Sequence, residues 1–151
     1  MSVLERNLNV IRNVVTDSEP FQDINFFLHE AEMSANTRFP ALSFDVGDRV
    51  RQDYSPDCTN YTGELEIRLH TKTDNKEQLQ YELYDYEEDL VKVIDFARIN
   101  NSFDDYNFDL RQTKSSGIGA LVYVNKDPKG LELKSLFSNI LRVYFEIDYR
   151  L

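Results

Sequence analysis

A chain of 151 residues is sized for one domain, and at about 150 residues some 68–70% of the unfolded surface is buried on folding. Its 17 Lys+Arg against 27 Asp+Glu leave a net charge of −10, which excludes a dedicated nucleic-acid binder resting on phosphate neutralisation and a polybasic dock on anionic membranes. Apolar residues at 41% and aromatics at 13% exclude a solvated, disordered tail.

Ser2 with Glu5 three residues later has the form of a capping box. Leu4, Leu8, Ile11 and Val15 follow at helical spacing, so a helix is predicted over Val3–Thr16, ending before Pro20. Asp23–Glu30 alternates Ile24, Phe26 and Leu28 with other side chains and reads as a strand. Phe39-Pro40 opens a second strand with Leu42, Phe44 and Val46 on one face. Gly47–Thr62 reads as a polar loop. The next strand is the clearest, Leu65, Ile67 and Leu69 alternating with Glu64, Glu66, Arg68 and His70, one face buried and the other wet.

Thr73–Glu77 offers another cap, and Leu79, Leu83, Tyr86, Leu90, Val93 and Ala97 step at helical intervals, an amphipathic helix of about two dozen residues. Tyr106, Phe108 and Leu110 alternate as a strand, Ser115-Ser116-Gly117 marks a turn, and Ala120–Asn125 reads as a further strand. Asp127-Pro128-Lys129-Gly130 has type I turn chemistry. Leu131–Asn139 fits either state, and Ile140–Leu151 closes the chain as a long, half-buried antiparallel strand. The order predicts an α+β fold: a mostly antiparallel sheet of four to six strands with two helices packed on one face, one domain over residues 1–151.

No apolar run approaches the ~18 residues of a membrane span. Met1–Val15 carries Glu5, Arg6 and Arg12, unlike a secretory leader. Cys58 is the one cysteine, so no intrachain disulfide framework is available and a reducing, cytoplasmic setting is expected. Nucleophilic catalysis would draw on Cys58 or a serine beside His29 or His70, but nothing in the sequence brings these together. The plainer reading is solvent-facing histidines and an incidental thiol. Metal-ligand spacings are missing, and Gly117-Ile118-Gly119 has Val122 where a third glycine belongs, with a strand following instead of a helix. The expectation is a protein without catalytic residues, cofactor or metal.

Interaction surfaces are better supported. One loop carries Arg49, Arg51 and Tyr54; a second region carries Arg111, Lys114, Lys126 and Lys129. Arg and Tyr are favoured at interface hot spots. The long helix presents Asp85, Glu88 and Asp89 outward. Acidic helix and basic loops on one chain can pair head to tail and close a ring. The plainer reading of both is solvated surface.

Several short segments also fall in a characteristic order. Asn25-Phe26-Phe27 stands on the first strand, Arg38-Phe39-Pro40-Ala41-Leu42-Ser43-Phe44 opens the second, and Gly63-Glu64-Leu65-Glu66-Ile67-Arg68-Leu69 forms the third. A capped helix follows Asp74, and Val143-Tyr144-Phe145-Glu146-Ile147-Asp148-Tyr149 ends the chain. In that order, over nearly its whole length, the chain resembles the tail terminator proteins of long-tailed bacteriophages, the lambda-type minor tail protein family.

The resemblance implies a non-enzymatic virion protein without cofactor. It would form a hexameric ring at the head-proximal end of the tail after assembly in the host cytoplasm. The ring would stop polymerisation of the tail tube protein and present a surface to the head–tail connector. DNA would pass through without specific binding, and the acidic excess would line part of the opening. Gln112–Asn139 is longer than the family pattern. The alternatives are another head–tail joining protein, such as a connector stopper or tail-completion protein, and a small hydrolase using His29, His70 and Cys58.

Overall fold

The Ser2 hydroxyl accepts a hydrogen bond from the Glu5 amide at 3.1 Å, and the Glu5 carboxylate accepts one from the Ser2 amide at 3.4 Å. The capping box thus forms, and helix α1 runs Val3–Thr16. Ile11 and Val15 are fully buried, with Leu4 and Leu8 packed half-buried on the same core. Asn7 shares the buried face.

The computed structural model describes residues 1–27, 40–52, 59–73, 76–126 and 132–151. After α1 and a single helical turn at Glu19–Phe21 come β1 (Asn25–Phe27), β2 (Ala41–Arg51), β3 (Asn60–Thr73), α2 (Lys76–Ile99), a turn at Asp104–Tyr106, β4 (Phe108–Ser115), β5 (Gly119–Lys126) and β6 (Glu132–Arg150). The predicted continuation of β1 through Glu30 and the turn at Asp127–Gly130 lie outside the described residues.

The strands form one six-stranded sheet in the order β1–β2–β3–β6, with β4 and β5 end to end along the far side of β6. β1 runs parallel to β2 and every other ladder is antiparallel. Across the three central strands the register stacks apolar rows: Leu42, Leu69 and Leu141; Phe44, Ile67 and Val143; Val46, Leu65 and Phe145. α2 lies over β3, β6 and β4, and α1 packs on α2, giving the expected α+β arrangement with both helices on one face. Each fully buried Leu, Ile or Phe in those rows stabilises the fold by about 1.5–3 kcal/mol.

α2 turns Leu83, Leu90 and Ala97 into the core as the stepping predicted, but Ile94 is fully buried there while Val93 and Tyr86 are half-buried. It stops because Asn101 adopts the left-handed conformation, φ 58°. The amide of Ser102 then bonds the Ala97 carbonyl at 2.9 Å and the amide of Asn101 that of Arg98 at 3.1 Å, a Schellman cap with Asn in the place that glycine usually takes. Phe103 follows into the core, 4.7 Å from the Phe108 ring.

Three segments differ from the sequence expectation. Gly47–Thr62 is not one loop, because β2 runs on to Arg51 and β3 starts at Asn60. An extra residue between Val46 and Arg49 makes a bulge, after which pairing resumes as Arg49–Gly63, Val50–Thr62 and Arg51–Tyr61. Tyr106 belongs to a helical turn and not to a strand; left-handed Asn107 (φ 57°) resets the chain into β4. The ambiguous Leu131–Asn139 is strand from Glu132 onward.

The second face of the sheet is not uniformly wet either. At the end where Ala41, His70 and Ile140 stand in one row, all three are 1% exposed, and Ser43 is fully buried. His70 is therefore a core histidine, correcting the solvent-facing expectation.

Candidate subunit interface

The helical phase that buries Leu83 and Leu90 leaves Tyr81 74% and Tyr84 50% exposed on the outside of α2. Asp85 and Glu88 are exposed beside them, and Asp89 is half-buried. The acid has a local effect: the Tyr86 hydroxyl is held above its usual pKa by burial first and by the carboxylates of Glu82 and Asp89 second. At the other end of α2, Phe96 and Ile99 are 72% and 78% exposed. A cleft of about 480 Å³ lies between the last turns of the two helices, lined by Val14, Asp17, Ser18, Lys92, Val93, Phe96, Ala97 and Ser102.

The second face of the sheet is a lattice of charge. Arg68 reaches Asp45 and Glu66 at 2.9 Å each, and Arg142 meets the same Glu66 oxygen at 2.9 Å. Arg111 spans Glu146 and Asp148 at 3.2 Å and Asp109 at 3.7 Å, while Arg98 meets Asp109 at 3.0 Å. The Lys114 ammonium sits 4.7 Å over the Tyr144 ring. Of these groups the Arg68–Glu66 pair is the least exposed, at 14% and 16%.

Beyond the β2 bulge, exposed Arg49 lies beside a stacked pair, Tyr61 and Tyr149, whose ring centroids are 5.5 Å apart. Burial raises the Tyr149 hydroxyl pKa, and the neighbouring Arg49 guanidinium, hydrogen-bonded to it, pulls it back. These three line a cleft of about 410 Å³ with Ser2, Val3, Leu4 and Leu151. Arg51, at the end of β2, donates to the Thr59 hydroxyl at 3.4 Å.

The expected basic loops are thus largely strand. Arg49 and Arg51 are on β2, Arg111 and Lys114 on β4, and Lys126 ends β5; Tyr54 and Lys129 lie outside the described residues. Arg49 and Arg51 do sit together, near the chain termini. Arg111 and Lys114 belong to a different surface, where Arg111 is already paired within the fold. Asp85, Glu88 and Asp89 share the outside of α2 as expected.

Compared with known proteins, the chain matches no protein-family model and no curated protein.

The chemistry must therefore be read from the groups themselves. Ser43 Oγ and His70 Nε2 are 2.9 Å apart, a nucleophile–base distance. Both side chains are sealed from solvent, and among the described residues His70 Nδ1 has no partner to orient the ring. His29 and Cys58 lie outside the described residues. Among the described residues no group of three or more His, Cys, Asp or Glu is placed to hold a metal ion. None of their helices is long and apolar enough to cross a membrane.

What sequence reasoning missed is Phe96 and Ile99. The stepping that puts Leu83, Leu90 and Ala97 inward turns these two away from the core, so the signal was present in the helical phase. The ion-pair lattice had no such signal, because it depends on which strands become neighbours.

Proposed function

We propose that the chain is a tail terminator of a long-tailed bacteriophage. It caps the head-proximal end of the tail tube as a ring of identical subunits, hexameric by the resemblance. The observation that carries the reading is spatial: the segments bearing the resemblance are adjacent strands. Ala41–Phe44 on β2, Gly63–Leu69 on β3 and Val143–Tyr149 on β6 pair side by side, with Phe44, Ile67 and Val143 in one row. Short patterns scattered along a chain carry little weight. The same patterns forming one block of the sheet carry more.

The ring has tube protein on one side and the head connector on the other. Its subunits act by shape and contact, without catalysis or cofactor. A net charge of −10 per subunit lets DNA slide through the opening instead of adhering to it, since like charge removes the counterion-release gain that drives binding to phosphates. The finished ring resides in the virion.

The test is tube growth. Purified chain added to polymerising tube protein should stop elongation and leave rings visible at tube ends by electron microscopy. Unchanged tube lengths at stoichiometric chain would count against the reading. A connector stopper would instead bind the head-side ring and leave tube length unaffected.

A further inference from the structure

We propose that the outer edge of β4 pairs with the same edge of a second copy, antiparallel, about a two-fold axis through Leu110. The inference goes beyond the tail reading and does not rest on it, since this contact is two-fold and not the head-to-tail kind that closes a ring.

β4 forms the margin of the sheet beside the C-terminal half of β6, and among the described residues no strand pairs with its outer edge. Along an antiparallel strand the N–H and C=O of successive residues turn alternately to one neighbour and the other. The Arg150 amide donates to the Asn107 carbonyl at 3.1 Å, and the ladder runs on through Asp109–Asp148 and Arg111–Glu146. Those residues direct their main-chain groups to β6, so Phe108, Leu110 and Gln112 turn theirs outward. The Leu110 amide accordingly donates to the Asp109 carboxylate at 3.0 Å. A side-chain cap stands there in place of a neighbouring strand.

Charge selects the second copy and its register. An antiparallel self-pairing that sets outward groups against outward groups places one residue of β4 on the axis. With Asp109 there, two carboxylates face each other directly across the strands; with Arg111 there, two guanidiniums do, and both are unfavourable. An axis at Phe108 runs the second strand into left-handed Asn107. One at Gln112 runs it across the bulge at Thr113, where the alternation breaks. The axis at Leu110 sets Asp109 opposite Arg111 of the second copy and Arg111 opposite its Asp109. Leu110 then faces Leu110 and Phe108 faces Gln112, giving about six main-chain hydrogen bonds. Outward groups and opposite charges thus agree on one register.

Both charged side chains are accessible, Asp109 at 43% and Arg111 at 47% exposure. On pairing, the Leu110 amide exchanges the Asp109 carboxylate for the carbonyl of the second copy's Leu110, and that carboxylate turns to the facing Arg111. Arg111 keeps Glu146 and Asp148, each at 3.2 Å. One strand edge from each copy is a small interface, so the dimer is weak and fills only as concentration rises.

The experiment is sedimentation of the full chain over a wide concentration range. Asp109→Arg and Arg111→Asp each set like charges across the axis, so each chain alone should self-associate at least tenfold more weakly than the wild type. Their equimolar mixture should recover the association, because both facing pairs are then of opposite sign. Gln112→Pro removes an outward donor at an exposed position where an edge strand tolerates proline; it should weaken the dimer with circular dichroism unchanged. A disulfide test decides even where a charge variant folds poorly. In Cys58→Ser chains, Asp109→Cys mixed with Arg111→Cys should give mixed dimers in preference to either self-dimer, since facing Cα atoms at such a pair lie about 4.5 Å apart. A wild-type chain monomeric up to near-millimolar concentration, a mixture no tighter than either charge variant alone, or self-dimers prevailing among the cysteine chains would overturn the contact. Tube capping enters none of these readouts, so the tail reading stands or falls separately.

Discussion

His70 Nε2 and Ser43 Oγ lie 2.9 Å apart between β3 and β2, and the imidazole is 1% exposed with no partner for Nδ1 among the described residues. Desolvation first, then the guanidiniums of Arg68 and Arg142, push the His70 pKa from 6.5 down to about 4. The folded state therefore holds the neutral ring where the unfolded chain would protonate it. Above pH 6.5 both states are neutral and the full stability is present. Below it the unfolded chain takes up a proton first, so stability falls until the folded protein also titrates near pH 4. That separation corresponds to a loss of about 3 kcal/mol. Denaturant titrations from pH 7.5 to 4 should show this slope, and His70→Gln should flatten it. An unchanged slope in the variant would assign acid sensitivity elsewhere.

Among the described residues, Asn7 and Thr71 also carry buried polar atoms without a hydrogen-bond partner. The Asn7 amide is fully buried, and neither Oδ1 nor Nδ2 has a hydrogen-bond partner among the described residues. An unsatisfied buried amide costs about 1–3 kcal/mol. Leucine has the same branching without the polar atoms and a higher helix propensity. Asn7→Leu should raise the melting temperature by several degrees, about 1 kcal/mol or more in a domain of this size. A lowered melting temperature would mean that a water or an altered packing satisfies the amide in solution.

These two sites mark the division between what local pattern shows and what pairing decides. The cap at Ser2, the stepping of α2 and the alternation of β3 and β6 are local signals, and each element formed where its periodicity placed it. The polar residues of β2 beyond Gly47 looked like loop because their strand identity comes from pairing with Tyr61–Gly63 across a bulge. Tyr106 alternated with Phe108 and Leu110, yet the turn ahead of Asn107 captured it. At the candidate interface, Asp85 and Glu88 were legible from helical phase. The pairing of Arg111 was not, since Glu146 lies 35 residues away in sequence and meets it only through the β4–β6 register. The burial of His70 was hidden for the same reason.

Gly63 faces the stem of Arg49 across the β2–β3 ladder, and a Cβ there would lie 2.8 Å from Arg49 Cγ. That is closer than carbon atoms pack, so Gly63→Ala must displace the arginine or the bulge that aims it. We expect a loss of about 1 kcal/mol, the size typical of modest overpacking. In an Arg49→Ala chain the same substitution should be tolerated, giving a coupling of about 0.5–2 kcal/mol in a double-mutant cycle measured by denaturant unfolding. Additive losses would show that the glycine is needed for another reason.

Arg49 and Arg51 bear on assembly. Both are exposed at the far end of β2, Arg49 against Tyr149 and Arg51 against Thr59. Charge there costs the isolated fold little, since exposed pairs contribute about 0–1 kcal/mol. If this corner meets the acidic outer face of a neighbour's α2, reversing both to Glu turns attraction into repulsion. The expected result is weaker self-association with a nearly unchanged melting temperature. The effect should be largest at low salt and fade as ionic strength shortens the Debye length below about 8 Å. Light scattering of the double variant at low and high salt measures this, and assembly indifferent to the reversal at low salt would remove Arg49 and Arg51 from the interface.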